Sequence, residues 1–147
     1  MLIEIRTPTP DDLPDMYGIE CRANDWPWSE SLLASNFGER YHNGLLLVDG
    51  VAAGFYIADY VAGESNLMNI SVDPAWQGQK LGLKLLEHYL AQTTGMGCTS
   101  WWLEVRLSNV KAQNLYEKVG YIQVGYRENY YASEDDGEDA LVLQRSL

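Results

Sequence analysis

The sequence predicts an α/β fold with a mixed sheet. The second half alternates strand and helix patterns, an Asp-Gly turn joins two apolar runs in the first half, and 147 residues at 46% apolar suffice for one core. There are no repeats, low-complexity tracts or linkers, so residues 1–147 are expected to form a single domain.

In chain order, Leu2–Ile5 alternates like a short first strand. Thr9-Pro10-Asp11-Asp12 starts a helix, with Thr9 as N-cap, Pro10 in the first turn and acids at the positive dipole end. Leu13, Met16 and Tyr17 then share a face. Pro27-Trp28-Ser29-Glu30 breaks that segment and opens a second helix, with Ser29 as cap and Leu32, Leu33 and Phe37 inward. Leu45–Val48, Asp49-Gly50 and Val51–Tyr60 form a hairpin, because Asp-Gly suits the left-handed turn angles. A long strand covers Asn66–Val72 and ends at Asp73-Pro74.

Trp76–Gly82 is a polar, glycine-containing loop that leads into the helical spacing of Leu81, Leu85, Leu86, Tyr89 and Leu90, closed by Gly95 and Gly97. Thr99–Val105 is a strand, Val110–Val119 a helix stopped by Gly120, Tyr121–Gly125 a strand, and about Ala140–Gln144 the last strand.

The formal charge is −11, which argues against nucleic acid as the main ligand, since phosphate binding rests on clustered lysine and arginine. Residues 1–79 carry −9, residues 80–127 carry +3 with all four lysines, and residues 128–147 carry −5. A cationic middle between anionic flanks suits a protein that holds a polyanion at one end and attracts a cation at the other. A solvated acidic surface that only aids solubility accounts for the same numbers. The opening Met-Leu-Ile-Glu-Ile-Arg fits no signal peptide, no apolar run suits a membrane span, and Cys21 and Cys98 form no metal or disulfide framework. A cytoplasmic protein with no membrane contact is the expectation.

Three segments carry chemistry. In Val72–Gly82, a loop between a strand end and a helix N-terminus offers unpaired backbone N–H groups to a phosphate; an ordinary connection has the same composition. In Trp101-Trp102-Leu103-Glu104-Val105-Arg106, alternation puts Trp102 and Glu104 on one face. A carboxylate among tryptophans is desolvated toward the pKa of a general base, whereas a solvent-facing Glu has the same pattern. In Ser108–Tyr116, Ala112, Leu115, Tyr116 and Val119 share a helical face; Tyr116 reads as a core tyrosine and Asn109 as an N-cap.

Taken in order, Asn66 to Tyr121 resembles the GNAT superfamily of acetyl-CoA-dependent N-acetyltransferases. The family's pyrophosphate loop, Gln/Arg-x-x-Gly-x-Gly/Ala, is matched by Gln77-Gly78-Gln79-Lys80-Leu81-Gly82, with Lys80 at the first glycine position. The resemblance sharpens to the RimI family, bacterial enzymes that acetylate the N-terminal alanine of the eighteenth small-subunit ribosomal protein. It rests on Pro27-Trp28-Ser29-Glu30, Asn69-Ile70-Ser71-Val72-Asp73-Pro74, Leu103-Glu104-Val105-Arg106, Ser108-Asn109, Leu115-Tyr116, Gly120-Tyr121, Arg127-Glu128-Asn129-Tyr130-Tyr131 and Glu138-Asp139-Ala140.

The resemblance implies the GNAT fold, a single domain whose central mixed sheet has two splayed strands that hold acetyl-CoA. It implies that Ile70, Ser71 and Val72 hold the pantetheine arm through their backbone. Gly78, Gln79, Lys80, Leu81, Gly82 and Leu83 hold the pyrophosphate, and Asn109 contacts the arm. Glu104 is then the general base and Tyr116 the general acid. No metal is implied, and a monomer is the default oligomer. An α-amine of pKa ~7.7–8 loses its proton far more readily than a lysine at ~10.4, so a carboxylate suffices as base. If residue 80 has positive φ, its side chain costs roughly 1–2 kcal/mol, while Lys80 and Lys84 offer cations to coenzyme phosphates. The acceptor implied is the basic N-terminal tail of a ribosomal protein. Glu134, Asp135, Asp136, Glu138 and Asp139, with Tyr130 and Tyr131, are the expected acidic rim. An acetyltransferase for a polyamine or aminoglycoside, and a non-catalytic acyl-CoA sensor, are the competing readings.

Overall fold

The structure, a computed structural model, describes residues 1–131 and 138–147. Seven strands form one mixed sheet in the order β1-β2-β3-β4-β5-β7-β6. They are β1 (Ile3–Arg6), β2 (Gly44–Val48), β3 (Val51–Ala58), β4 (Glu64–Val72), β5 (Ser100–Arg106), β6 (Ile122–Tyr131) and β7 (Glu138–Ser146). All neighbours are antiparallel except β4 and β5. Helices α1 (Leu13–Ala23), α2 (Glu30–Ala34), α3 (Leu81–Gly95) and α4 (Val110–Lys118) complete the chain.

The hairpin turn forms as the sequence predicts, with Asp49 at φ 50° and Gly50 at φ 83°. Ser29 Oγ accepts the Leu32 N–H at 3.1 Å and caps α2, but that helix is only five residues long. Leu33 is buried and Phe37 packs beside it, whereas Leu32 is exposed, contrary to its expected inward position. One turn of helix has a narrow apolar face, and Leu33 fills it. Thr9 begins a 3-10 turn over Pro10–Asp12, and α1 follows at Leu13.

Strand alternation divides the core between the two faces of the sheet. Leu45, Phe55 and Ile57 pack with Met16, Ile19 and Leu33 of α1 and α2. Leu46, Tyr56 and Ala58 face the other way, onto Leu81, Leu85, Leu86 and Tyr89 of α3, with Trp101, Tyr116 and Tyr121. Gly44 lies opposite Tyr56, and a Cβ there would sit 2.3 Å from Tyr56 Cε2. The ring is fully buried. Gly44→Ala is therefore expected to cost about 3 kcal/mol, read by urea unfolding.

Tyr56 Oη lies 3.1 Å from His42 Nε2 and 3.0 Å from His88 Nδ1, so both histidines of the chain meet on one phenol. Burial lowers the pKa of each below the ordinary 6.5, and His42 is lowered further by His88. The unfolded chain then binds more protons below about pH 6.5, so stability rises with pH through that window. Stability is expected to be complete above pH ~6.5 and lost as pH falls through the folded values. Thermal melts from pH 8 to 5 test this, and His42→Asn should flatten the slope.

Candidate active site

β4 and β5 pair only over Glu64–Asn66 with Ser100–Trp102. Beyond those residues they separate, and β4 keeps only its partner β3. The β3–β4 register shifts between Ile57↔Asn69 and Ala58↔Leu67, so Met68 is an extra residue on β4. Such a bulge bends and twists its strand, here at the point where β5 departs.

Asp73 donates its N–H to Ala53 O at 2.8 Å, toward β3. By strand alternation Ser71 also pairs toward β3, opposite Phe55, while Ile70 and Val72 present their N–H and C=O groups to the gap. Gln77 Nε2, 3.3 Å from Val72 O, agrees with that direction.

The turn that leads into α3 lies at the head of the gap. Gly78 has φ 83° and Lys80, the residue before α3, has φ 61° and ψ 26°. Leu81 is buried and Leu83 half-buried. The N–H groups of Leu81, Gly82 and Leu83 precede the first helical hydrogen bond, from Lys84 N to Lys80 O, and stand at the positive end of a fifteen-residue helix. A Cβ on Gly82 would lie 3.7 Å from Leu115 and 3.9 Å from Val72, so this helix start adjoins both α4 and the end of β4.

Glu104 lies on the β5 face that the sequence predicts, with Trp102, while Trp101, Leu103 and Val105 are buried. It lines a cleft of about 310 Å³ with Trp28, Asp59, Asn66, Met68 and Tyr130. Its side chain is 34% exposed, and its Oε1 lies 3.2 Å from Arg127 Nη1, so its setting is a cleft wall with an arginine rather than a nest of tryptophans. The Arg127 guanidinium lies 4.7 Å above the Tyr130 ring. Tyr116 is buried, its ring 5.7 Å from that of Tyr121, and it is not among the residues lining this cleft. Asn109 Oδ1 accepts the Ala112 N–H at 3.1 Å and caps α4.

The acidic rim is only partly free. Glu138 accepts from Ser108 N at 2.7 Å and Arg106 Nη1 at 3.2 Å, and these bonds, the Ser108 one foremost, lower its pKa. Asp139 accepts from Tyr126 Oη and from Asn129 N, which likewise lower its pKa. Glu134, Asp135 and Asp136 lie outside the described residues.

The model of the acetyltransferase (GNAT) family matches residues 11–121. The chain belongs to the GNAT acetyltransferase family. Among its relatives, the [ribosomal protein bS18]-alanine N-acetyltransferase of Escherichia coli K12 is 47% identical over 132 residues, 90% of this chain and 89% of that one. The Haemophilus influenzae protein of the same name is 41% identical over 133 residues, 90% of each chain. The crystal structure of the ribosomal-protein-S18-alanine N-acetyltransferase from Escherichia coli superposes with TM-score 0.95 at 43% identity, covering 99% of this chain and 94% of that one. The GNAT fold and the RimI resemblance read from the sequence are borne out.

This GNAT enzyme is an acyltransferase, and acetyl-CoA is its cosubstrate. Its residues fit that molecule: a strand edge whose Ile70 backbone groups and Val72 N–H face the gap, and a helix N-terminus with lysines at 80 and 84. A side chain at positive φ is strained, so Lys80→Gly is expected to raise stability by about 1 kcal/mol, roughly 3 °C in melting temperature. The same change should weaken apparent acetyl-CoA affinity and flatten its salt dependence, if the ammonium faces coenzyme phosphates.

Against the β4 side of the gap lies a buried acid that the sequence did not single out. Glu20 is 1% exposed. Its Oε1 accepts from Asn24 Nδ2 at 2.8 Å, Asn69 Nδ2 at 2.9 Å and Ser71 Oγ at 3.3 Å, and its Oε2 from Trp28 N at 2.9 Å. One carboxylate thereby joins α1, the connection carrying Trp28, and β4. Arg22 pairs with Asp73 at 2.7 Å, a second tie from α1 to the end of β4, and the guanidinium holds the Asp73 carboxyl below its ordinary pKa against the opposing effect of burial. Asp59, Asn66 and Met68 were also not singled out, because polar residues on edge-facing strand positions look the same whether or not a cleft lies over them.

Proposed function

We propose that the enzyme acetylates the N-terminal α-amine of a basic protein in the cytoplasm, the N-terminal alanine of ribosomal protein bS18 being the acceptor. The observation that carries this reading is the 47% identity, over nine-tenths of the chain, to an enzyme named for that acceptor. The geometry supports it. Glu104 faces a cleft beside the gap between β4 and β5, where an amine would meet a thioester laid along β4.

In this reading Glu104, directly or through water, takes the proton of the amine as the nitrogen attacks the thioester carbonyl. The Val72 N–H, directed into the gap, is a donor to the carbonyl oxygen as it gains charge. The new C–N bond forms, the C–S bond breaks, and Tyr116 returns a proton to the leaving thiolate. Amide and free thiol are the products, with no acyl-enzyme. Ile70, Val72, Gly78–Leu83 and Asn109 hold the coenzyme in this reading, while Ser71, expected with them, turns its backbone to β3 and serves by spacing its two neighbours.

A small cationic amine is the second reading, and one observation favours it: two carboxylates, Asp59 and Glu104, share the cleft. Mass spectrometry of a peptide with the bS18 N-terminal sequence, after incubation with enzyme and acetyl-CoA, tests the first reading. Acetylation at the α-nitrogen is expected. Turnover of spermidine with none of the peptide would establish the second reading instead.

A further inference from the structure

Asp59 immediately follows β3 and lines the same cleft as Glu104. Its Oδ1 accepts the Asn66 N–H at 2.8 Å, and Asn66 Nδ2 lies 3.4 Å from both of its oxygens. The carboxylate is thus pinned to the cleft wall, with its side chain 13% exposed.

Each acid of the cleft is faced by an arginine of the chain itself. Arg127 Nη1 lies 3.2 Å from Glu104, and Arg40 Nη2 lies 3.8 Å from Asp59. These guanidiniums are 51% and 63% exposed, so the pairs are weak and exchange readily for an incoming cation. Each of the two cleft carboxylates therefore already holds one cation, through a contact made at the edge of the cleft rather than by a residue lining it. Trp28 and Tyr130 add aromatic walls, which suit a guanidinium better than an ammonium. The cleft volume of about 310 Å³ suits the end of a chain rather than a folded segment.

Glu104 is engaged by the reacting amine. We infer that Asp59 binds a second cation of the same acceptor: the basic side chain of the residue following the acetylated one, arginine in preference to lysine. This inference rests on the N-terminal acetylation reading. An acceptor neutral at that position leaves a fixed, partly desolvated carboxylate without its partner, and specificity follows from that difference.

The test is steady-state kinetics on peptides that begin Ala-Arg, Ala-Lys or Ala-Gln and are otherwise identical and neutral. The wild-type enzyme is expected to favour Ala-Arg over Ala-Gln about tenfold in kcat/KM, mainly through KM, with Ala-Lys between. Asp59→Asn keeps an oxygen for the Asn66 N–H and should bring the ratio near one, while Asp59→Glu should keep it above one. A wild-type ratio near one, or an unchanged ratio in Asp59→Asn, overturns the inference. If Asp59→Asn does not fold, the wild-type ratio decides by its salt dependence: it should shrink as salt rises, and a constant ratio counts against Asp59. Failure of the underlying reading is separately visible as no acetylation of any of the peptides. Putrescine and butylamine then replace them, and equal rates on the diamine and the monoamine reject the second-cation position.

Discussion

Glu104→Gln should lower kcat/KM about a thousandfold with little change in melting temperature. A positioned general base contributes on the order of 10²–10⁴ in rate, and glutamine keeps the shape of the side chain while losing its basicity. Among the described residues, the ion pair lost is the exposed one with Arg127, which adds little to stability. Tyr116→Phe is the companion change. It keeps the edge-on packing against Tyr121 and removes only the phenolic oxygen, so kcat should fall about a hundredfold while KM for acetyl-CoA moves little. In the proposed mechanism both groups act in one transition state, so the double variant should lose less than the product of the two losses. Stopped thiol-release assays at saturating acetyl-CoA measure all three. A Glu104→Gln enzyme within fivefold of wild type would remove Glu104 from the mechanism.

Glu20→Ala is expected to be the most damaging change to stability outside the apolar core. Its carboxylate is the acceptor for Asn24, Asn69 and the backbone of Trp28, while the Ser71 hydroxyl, 3.3 Å away, also has Asn69 Oδ1 at 2.9 Å. Leaving buried donors without an acceptor costs ~1–3 kcal/mol each, partly recovered by water, so a net loss of about 3 kcal/mol is expected. For a chain of this length that is roughly 10 °C in melting temperature. The consequence extends to the site, since Trp28 lines the cleft and Ser71 lies between the two residues whose backbone faces the gap. KM for the acceptor should therefore rise more than KM for acetyl-CoA. Glu20→Gln, which keeps one acceptor oxygen, should sit between wild type and alanine on both scales. Calorimetry with paired KM measurements checks this, and a melting temperature within ~1 °C of wild type for Glu20→Ala would show that water replaces the carboxylate.

Much of this molecule was legible from local chemistry. The Asp49-Gly50 turn, the Ser29 cap, the Gly120 stop and the alternation at 101–105 each depend on a few adjacent residues, and each is present. The strained position of Lys80 was legible only as a departure from a family pattern, and its φ of 61° shows why glycine is at ease there. Glu20 was not legible. Its burial depends on partners 49 and 51 positions away, at Asn69 and Ser71, and no window of the sequence brings these together. Asp59 escaped for the same reason, because a cleft is a property of separate strands and a connection meeting in space. For Glu138 and Asp139 the sequence shows the run of acids but not their donors: both bond to other groups of the chain.

The extra residue at Met68 behaves like a dislocation in a crystal lattice. It is a counting defect, so no exchange of one side chain for another can heal it; only shortening the strand by one would, restoring one-to-one pairing with β3. A cavity written into chain length in this way tolerates wide drift in composition around it.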